Sequence, residues 1–405
     1  MKHGPRQIMA GSAAAIGAIA LGVAIARYGA TRHRAQTAAV EAGVTAVPVI
    51  EVVEPANCCE YDLRRRLLVT ITDSGFPSGA LAEVGNRPWF LRDSTYLLTT
   101  MMGGALFQTD RSGRITSQVG RPGDGPGEYH WPSVVSATES EILVFDAPRQ
   151  RITALEPRTF RVLRTTRAPL NAMWPPVRLK SGNYVLTGSL GTTAPVVVIT
   201  PDGEMVRSWG PVTPPDSLGL THGRLISAVA GDSAVWLARS DSYRIEQWDT
   251  AGNLRRTVVR KPDWFRREGT GEDAKGAELW NVRQDAGGRL WVMSRWARKG
   301  NIRTCNRCPV NDLGSETWIE VLDLRARSVV AEWHGVGPGN YSIDGTDQAW
   351  TSRFTADGDV LIDVFGYYLV PQGTAISADR KAETPGEGAA RPMTAAARRP
   401  RSMDQ

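Results

Sequence analysis

The feature that most limits the fold is a recurrence. Stacked behind their turn signals, six short apolar runs share one pattern: YLLTT from Tyr96, ILVFD from Ile142, YVLTG from Tyr184, AVWLA from Ala234, LWVMS from Leu290 and VLIDV from Val360. Each reads as a buried strand. Several follow Gly or Asp turns, such as Lys180-Ser181-Gly182-Asn183, Asp285-Ala286-Gly287-Gly288 and Ala356-Asp357-Gly358-Asp359, the composition of tight hairpins. After most of them comes a second run ending in Asp and a loose turn, at 106–110, 196–202, 244–249 and 318–323. A third, more polar strand follows at 114–119, 161–166, 204–209, 253–259 and 327–333.

Units of about 40 to 50 residues with three or four strands each have the length of a propeller blade. No helix-period segment of useful length lies between them. A blade cannot bury both faces of its own sheet, and a closed ring supplies neighbours without leaving a long open edge. The expected fold is therefore all-β, a six-bladed β-propeller over residues 61–371. The sixth blade, 350–370, stops short of a full set of strands, while a strand-like piece at 61–72 lies unassigned before the first blade. That N-terminal strand is expected to complete the last blade and close the ring.

Between the first and second blades lies the decapeptide GRPGDGPGEY, Gly120 to Tyr129. Its glycines could cradle a phosphate, but a nucleotide fingerprint needs a helix next, and Pro126 with a strand starting near Trp131 denies one. The plainer account is a tight crossing between blades, with glycines at positive φ and Glu128 paired to backbone or a basic neighbour. With its weaker echo Gly335-Val336-Gly337-Pro338-Gly339-Asn340-Tyr341, this motif resembles that of NHL-like six-bladed β-propeller proteins of the bacterial envelope. The resemblance covers about residues 61–371. It implies the fold and leaves activity open, because such proteins include binding, sensing and a few catalytic members.

Lys2 and Arg6 precede an uncharged, Ala-rich run at 8–26 that ends in Ala24-Ile25-Ala26. Residues 1–35 read as a signal peptide or a membrane anchor, residues 36–60 as a linker, and residues 372–405 as a disordered tail. The expected location is periplasmic or extracellular, with a tether to the membrane through residues 8–26 if the leader is not cleaved. The formal net charge of +6 does not sit on the domain. Residues 1–36 hold five basic and no acidic side chains and residues 372–405 hold six basic and four acidic, which leaves about −1 for the rest. A near-neutral domain with no basic stripe argues against a nucleic-acid partner.

The four cysteines form two close pairs, Cys58-Cys59 and Cys305-Asn306-Arg307-Cys308. In an exported protein they read as disulfide chemistry, with Cys305 to Cys308 the most natural bond and a four-thiolate zinc site as the rival. Neither a metal nor another cofactor is expected.

Propellers bind at the mouth of the central channel, built from the innermost strands and the loops that enter it. Those strands should begin near Trp89, His130-Trp131, Trp174, His222, Trp280 and Trp350. The candidate ligand-binding set is His130, Trp131, Trp174, Arg178, His222, Arg224, Trp280, Arg283, Trp350 and Arg353, aromatic and guanidinium groups suited to a sugar-like or anionic ligand. Set against it is a purely structural reading, in which Trp fills space between blades and Arg pairs with carboxylates of the next blade. Trp280 and Arg283, like Trp350 and Arg353, are three residues apart, which on a straight strand puts them on opposite faces. Two functions remain. One is a non-catalytic propeller that binds a protein, peptide or glycan at the channel face. The other is a metal-dependent lyase or hydrolase in the channel, for which His130 and His222 are the nearest ligands. No G-x-S-x-G elbow or other catalytic signature marks an enzyme.

Overall fold

The structure, a computed structural model, describes residues 47–55, 58–72, 87–91, 95–99, 104–169, 172, 175–188, 196–209, 225–230, 234–239, 242–265, 267–268, 275–296, 315–337, 348–354 and 360–374. The chain divides into two units, 1–48 and 49–405. The leader read at 1–35, the membrane run at 8–26 and all of the tail beyond residue 374 lie outside the described residues. Among the described residues every regular element is a strand, and no helix is long and apolar enough to cross a membrane.

The strands form six blades. Blade one holds Arg87–Phe90, Tyr96–Thr99, Leu106–Thr109 and Ile115–Gln118; blade two Pro132–Ala137, Ile142–Asp146, Arg151–Leu155 and Val162–Arg167; blade three Val177–Arg178, Tyr184–Thr187, Val196–Ile199 and Met205–Trp209. Blade four holds Leu225–Ala230, Ala234–Arg239, Arg244–Asp249 and Leu254–Val259, and blade five Arg267–Glu268, Lys275–Gln284, Leu290–Trp296, Ser315–Asp323 and Ser328–Gly337. Five of the six apolar runs of the sequence are the second strands of their blades, and the run from Leu290 is the third strand of blade five. Three of them, Tyr96–Thr99, Ile142–Asp146 and Tyr184–Thr187, are buried at every position. A strand covered on both faces reads as a continuous apolar run rather than an alternating one. Fourth strands such as Val162–Arg167 alternate, because one face meets solvent.

Blade six is assembled from both ends of the domain. Gln348–Phe354 pairs with one edge of Val360–Pro371, and the N-terminal strand Tyr61–Thr72 pairs antiparallel with the other, from Tyr61 opposite Pro371 to Thr72 opposite Leu361. The closing strand also reaches blade one, where Thr72 N donates to Gly113 O at 3.1 Å.

Upstream of it, part of the segment read as a linker at 36–60 is described, residues 47–55 and 58–60, and it includes a strand. Val49–Glu51 adds to the outer edge of blade four, parallel to Thr257–Val259, and Val53 bridges Ser328 of blade five. The cause is local. Val49, Ile50, Val52 and Val53 are β-branched and suited to a strand, and Val52 is 2% exposed among Val258, Leu322 and Val329. Pro48 and Pro55 flank this short strand without interrupting it. Residues 49–72 thus contact blades four, five, six and one in turn.

Six apolar clusters tie each blade to the next. Leu97 and Leu106 of blade one meet Ile142 and Val144 of blade two; Leu143 and Phe145 meet Tyr184 and Leu186 of blade three; Val185 and Val196 meet Val235 and Leu237 of blade four. Trp236 and Ile245 then pack with Val292 of blade five, Met293 and Ile319 with Ala349 and Tyr367 of blade six, and Ile362 and Trp350 with Leu98 and Phe107 of blade one. The circuit returns to its start, and that makes the sheets a ring. Each large side chain so buried contributes about 1.5–3 kcal/mol.

Candidate functional site at the crossing from blade one to blade two

The Gly-rich decapeptide forms a small closed loop. Arg121–Pro122 runs parallel to Glu128–Tyr129, and Gly123 N donates to Tyr129 O at 3.2 Å. Gly123 (φ 147°) and Gly127 (φ 75°) occupy conformations that L side chains rarely adopt. Glu128 folds back into the loop, where Oε2 accepts from Gly125 N at 2.8 Å and Oε1 from Arg121 Nε at 2.8 Å. The Gly125 N–H and the Arg121 guanidinium hold its carboxyl below the usual range. The backbone donor that a phosphate would seek already has an anion, so the plainer account of this motif holds.

On this loop stands an exposed polar cluster. Asp124 comes from the loop tip, His130 from just before the inner strand of blade two, and Arg149 from the turn between that blade's second and third strands. His130 Nε2 lies 2.8 Å from Asp124 Oδ1 and 2.9 Å from Arg149 Nη2, and Arg149 also pairs with Asp124. The hydrogen bond to His130, assisted by the Arg149 charge, lowers the pKa of Asp124. With a proton on Nε2 the imidazole donates to Asp124; without one it accepts from Arg149.

Buried and part-buried groups fix this cluster from below. Asp146, wholly buried, accepts from His130 N at 3.2 Å and Trp131 N at 3.0 Å. Arg151 donates to Asp124 O at 2.8 Å and also bonds Glu128 O. The side chains of Asp124, His130 and Arg149 remain 68%, 41% and 43% exposed. An acid, a base and an imidazole are thereby presented to solvent on a rigid support.

The other residues singled out from the sequence do not join this group. Trp131 is half-buried beside it. Arg178 pairs with Glu141 of blade two at 2.9 Å, and the same carboxylate takes Arg164 at 2.6 Å. That is the structural role the sequence offered for arginine. Trp89, Trp280 and Trp350 lie inside their strands rather than at the starts, because Arg87, Lys275 and Gln348 begin those strands earlier. Trp350 is 5% exposed in the cluster joining blades six and one.

Trp280 and Arg283 are a correction to the straight-strand argument. The register shifts between Leu279 and Asn281, a bulge that turns both residues toward blade six. Trp280 carries the Arg295 guanidinium at 4.2 Å, and the Arg283 guanidinium lies 4.7 Å over Trp291. Both are packed between blades. Burial pushes the Arg295 pKa down to about 10.

Trp174, His222, Arg224, Cys305 and Cys308 lie outside the described residues, as does the side chain of Arg353. Cys58 and Cys59 are bonded to each other. Among the described residues one His, Cys, Asp or Glu group is close enough to share a cation, Cys58, Cys59 and Glu332. Its two sulfurs are joined as a disulfide, and metal binding needs thiolates.

Sequence reasoning found His130 and missed its partners. Asp124 sits inside the conspicuous motif, which marked it for attention as a loop residue. Arg149 lies 25 positions further on in the turn Ala147-Pro148-Arg149-Gln150, and nothing local links it to the motif.

No protein-family model matches the chain, and no curated protein matches it. Among solved structures it is similar to a protein of Bacteroides fragilis NCTC 9343 described as exported, at 14% identity and a TM-score of 0.51, covering 78% of this chain and 99% of that one. It is also similar to a member of the DUF4221 family from Bacteroides vulgatus ATCC 8482, at 10% identity and a TM-score of 0.56, covering 77% and 99%. At these identities the likeness speaks for the fold.

Proposed function

We propose that the protein is an exported, non-catalytic propeller of the NHL-like kind that binds a protein, peptide or glycan through the loop face at the blade one to blade two crossing. The observation that carries this reading is the exposed Asp124–His130–Arg149 cluster, held on buried Asp146 and part-buried Arg151. Such a group offers charge-assisted hydrogen bonds to hydroxyl, amide or carboxylate groups without reorganising. The uncharged run at 8–26 behind Lys2 and Arg6 supports a periplasmic or extracellular location, with a membrane tether if that run is retained.

One carboxylate acceptor and one guanidinium donor already occupy His130 Nε2, the first ligand of the metal-lyase reading. A cation at His130 Nε2 would have to displace the Arg149 guanidinium 2.9 Å away. Among the described residues no group of three candidate ligands gathers at His130 to favour that alternative.

The test is a screen of the purified full chain against glycan and peptide arrays, repeated with Asp124→Ala, His130→Ala and Arg149→Ala. The expected result is a hit that each substitution weakens at least fivefold while the melting temperature holds. A hit indifferent to all three, or turnover of the bound molecule, would sink the proposal.

A further inference from the structure

A second site lies away from the crossing. Where the closing strand enters blade six, a cavity of about 410 Å³ opens between the outer part of blade four and the turns of blade five. This is within the usual range for small-molecule sites. Its walls include Tyr61, Arg256, Gln284, Arg289, Asp323 and Arg325.

Three guanidiniums face two carboxylates here, and the carboxylates have other work. Asp323 Oδ1 accepts from Arg325 N at 2.8 Å and Ala326 N at 3.0 Å, closing its own turn. Glu60 is engaged with the Tyr61 hydroxyl, which raises the tyrosine pKa. Asp285, nearest to Arg289, spends Oδ1 on Arg289 N and Oδ2 on Trp291 Nε1, leaving a 3.4 Å contact to the guanidinium.

Among the described residues, Arg256 is part-buried without an acid beside it. Its Nε donates to Gln247 at 2.7 Å and its plane lies 5.2 Å over Trp236, yet no ion pair among the described residues answers its charge. Burial lowers its pKa, and no acid raises it back. Arg289 lies over Tyr61 at 5.4 Å. Gln284 is fixed by Trp236 Nε1 at 3.1 Å and by Gly288 O at 3.2 Å. Two planar forks are therefore pre-set on aromatic faces, and a fork of this kind matches a carboxylate through two hydrogen bonds.

We infer that this cavity binds a small hydrophilic carboxylate of the size of an acidic monosaccharide or acidic amino acid, with Arg256 and Arg289 as its anchors. The test is calorimetric titration of the full chain with D-glucuronate, L-glutamate and citrate, against D-glucose and inorganic sulfate. At least one carboxylate should bind saturably at one per chain, and glucose should not. Arg256→Gln and Arg289→Gln should each weaken that binding tenfold or more, with Arg256→Lys in between because it keeps charge and loses the fork. Thermal melts of the three variants check that each is folded. The inference is overturned if no carboxylate binds, if sulfate binds as well, or if a folded Arg256→Gln chain binds unchanged. None of Asp124, His130 and Arg149 lines this cavity, so its failure leaves the proposed function standing.

Discussion

Arg260 of blade four and Glu320 of blade five, 4% and 1% exposed, are joined through Nε at 2.8 Å and Nη2 at 2.5 Å across the boundary between their blades. Tyr243 donates to the other carboxylate oxygen of Glu320 at 2.5 Å, and Arg260 reaches out to Glu54 of the N-terminal segment at 2.9 Å. Removing one member of a buried pair leaves a charge without its partner. Glu320→Leu should cost about 3–5 kcal/mol, whereas Arg260→Met with Glu320→Leu should cost much less. Urea titration of the two variants checks this, and a double variant as unstable as the single one contradicts it.

The closing strand has one face that matters for stability and one that does not. Ile71 is wholly buried between blades six and one, while Leu67 is 46% exposed. Ile71→Ala should lose about 2–5 kcal/mol, and Leu67→Ala should stay within about 0.5 kcal/mol. Equal losses in denaturant melts would mean that this strand does not close the ring.

Tyr129 ends the Gly-rich loop, and burial pushes its pKa up to about 12. The unfolded chain ionises this hydroxyl near pH 10, so between about pH 10 and pH 12 the folded state binds the extra proton. Stability then falls as pH rises through that window, by at most about 1.4 kcal/mol per pH unit from this group. In Tyr129→Phe this part of the alkaline slope should vanish. Parallel thermal melts from pH 9 to pH 11.5 would show it, and identical slopes would refute the assignment.

Gly104 stands in a left-handed conformation, φ 59°, and a Cβ there would strike the carbonyl oxygen of Tyr129. Gly373 has φ 80° with nothing within 4 Å of the same position. Gly104→Ala should therefore cost clearly more than about 1 kcal/mol, and more than Gly373→Ala. A reversed order in chemical denaturation would show that the loop yields at Tyr129.

Much of the ring was legible because its signals are local. YLLTT, ILVFD and YVLTG each open on three or four consecutive apolar residues, a run that fits a strand covered on both faces. The closing strand was inferred from a shortage, since blade six had too few strands and residues 61–72 had no partner. The edge strand at Val49–Glu51 was not read, because four β-branched residues between two prolines carry too little pattern to outweigh a linker composition. At Trp280 and Arg283 the error came from counting along a straight strand, and a one-residue bulge has no sequence mark here.

By itself the sequence determined what short-range physics determines: where strands lie, how many blades they make, and that Gly120 to Tyr129 must turn tightly. Tertiary structure alone decided which charges meet. Arg149 joins His130 from 19 positions away, Arg260 joins Glu320 from 60, and Arg256 is left facing a cavity beside Tyr61. Alternation and turn chemistry act within a few residues of one chain segment, whereas an ion pair or a pocket forms only when packing has brought distant segments together and removed the water between them.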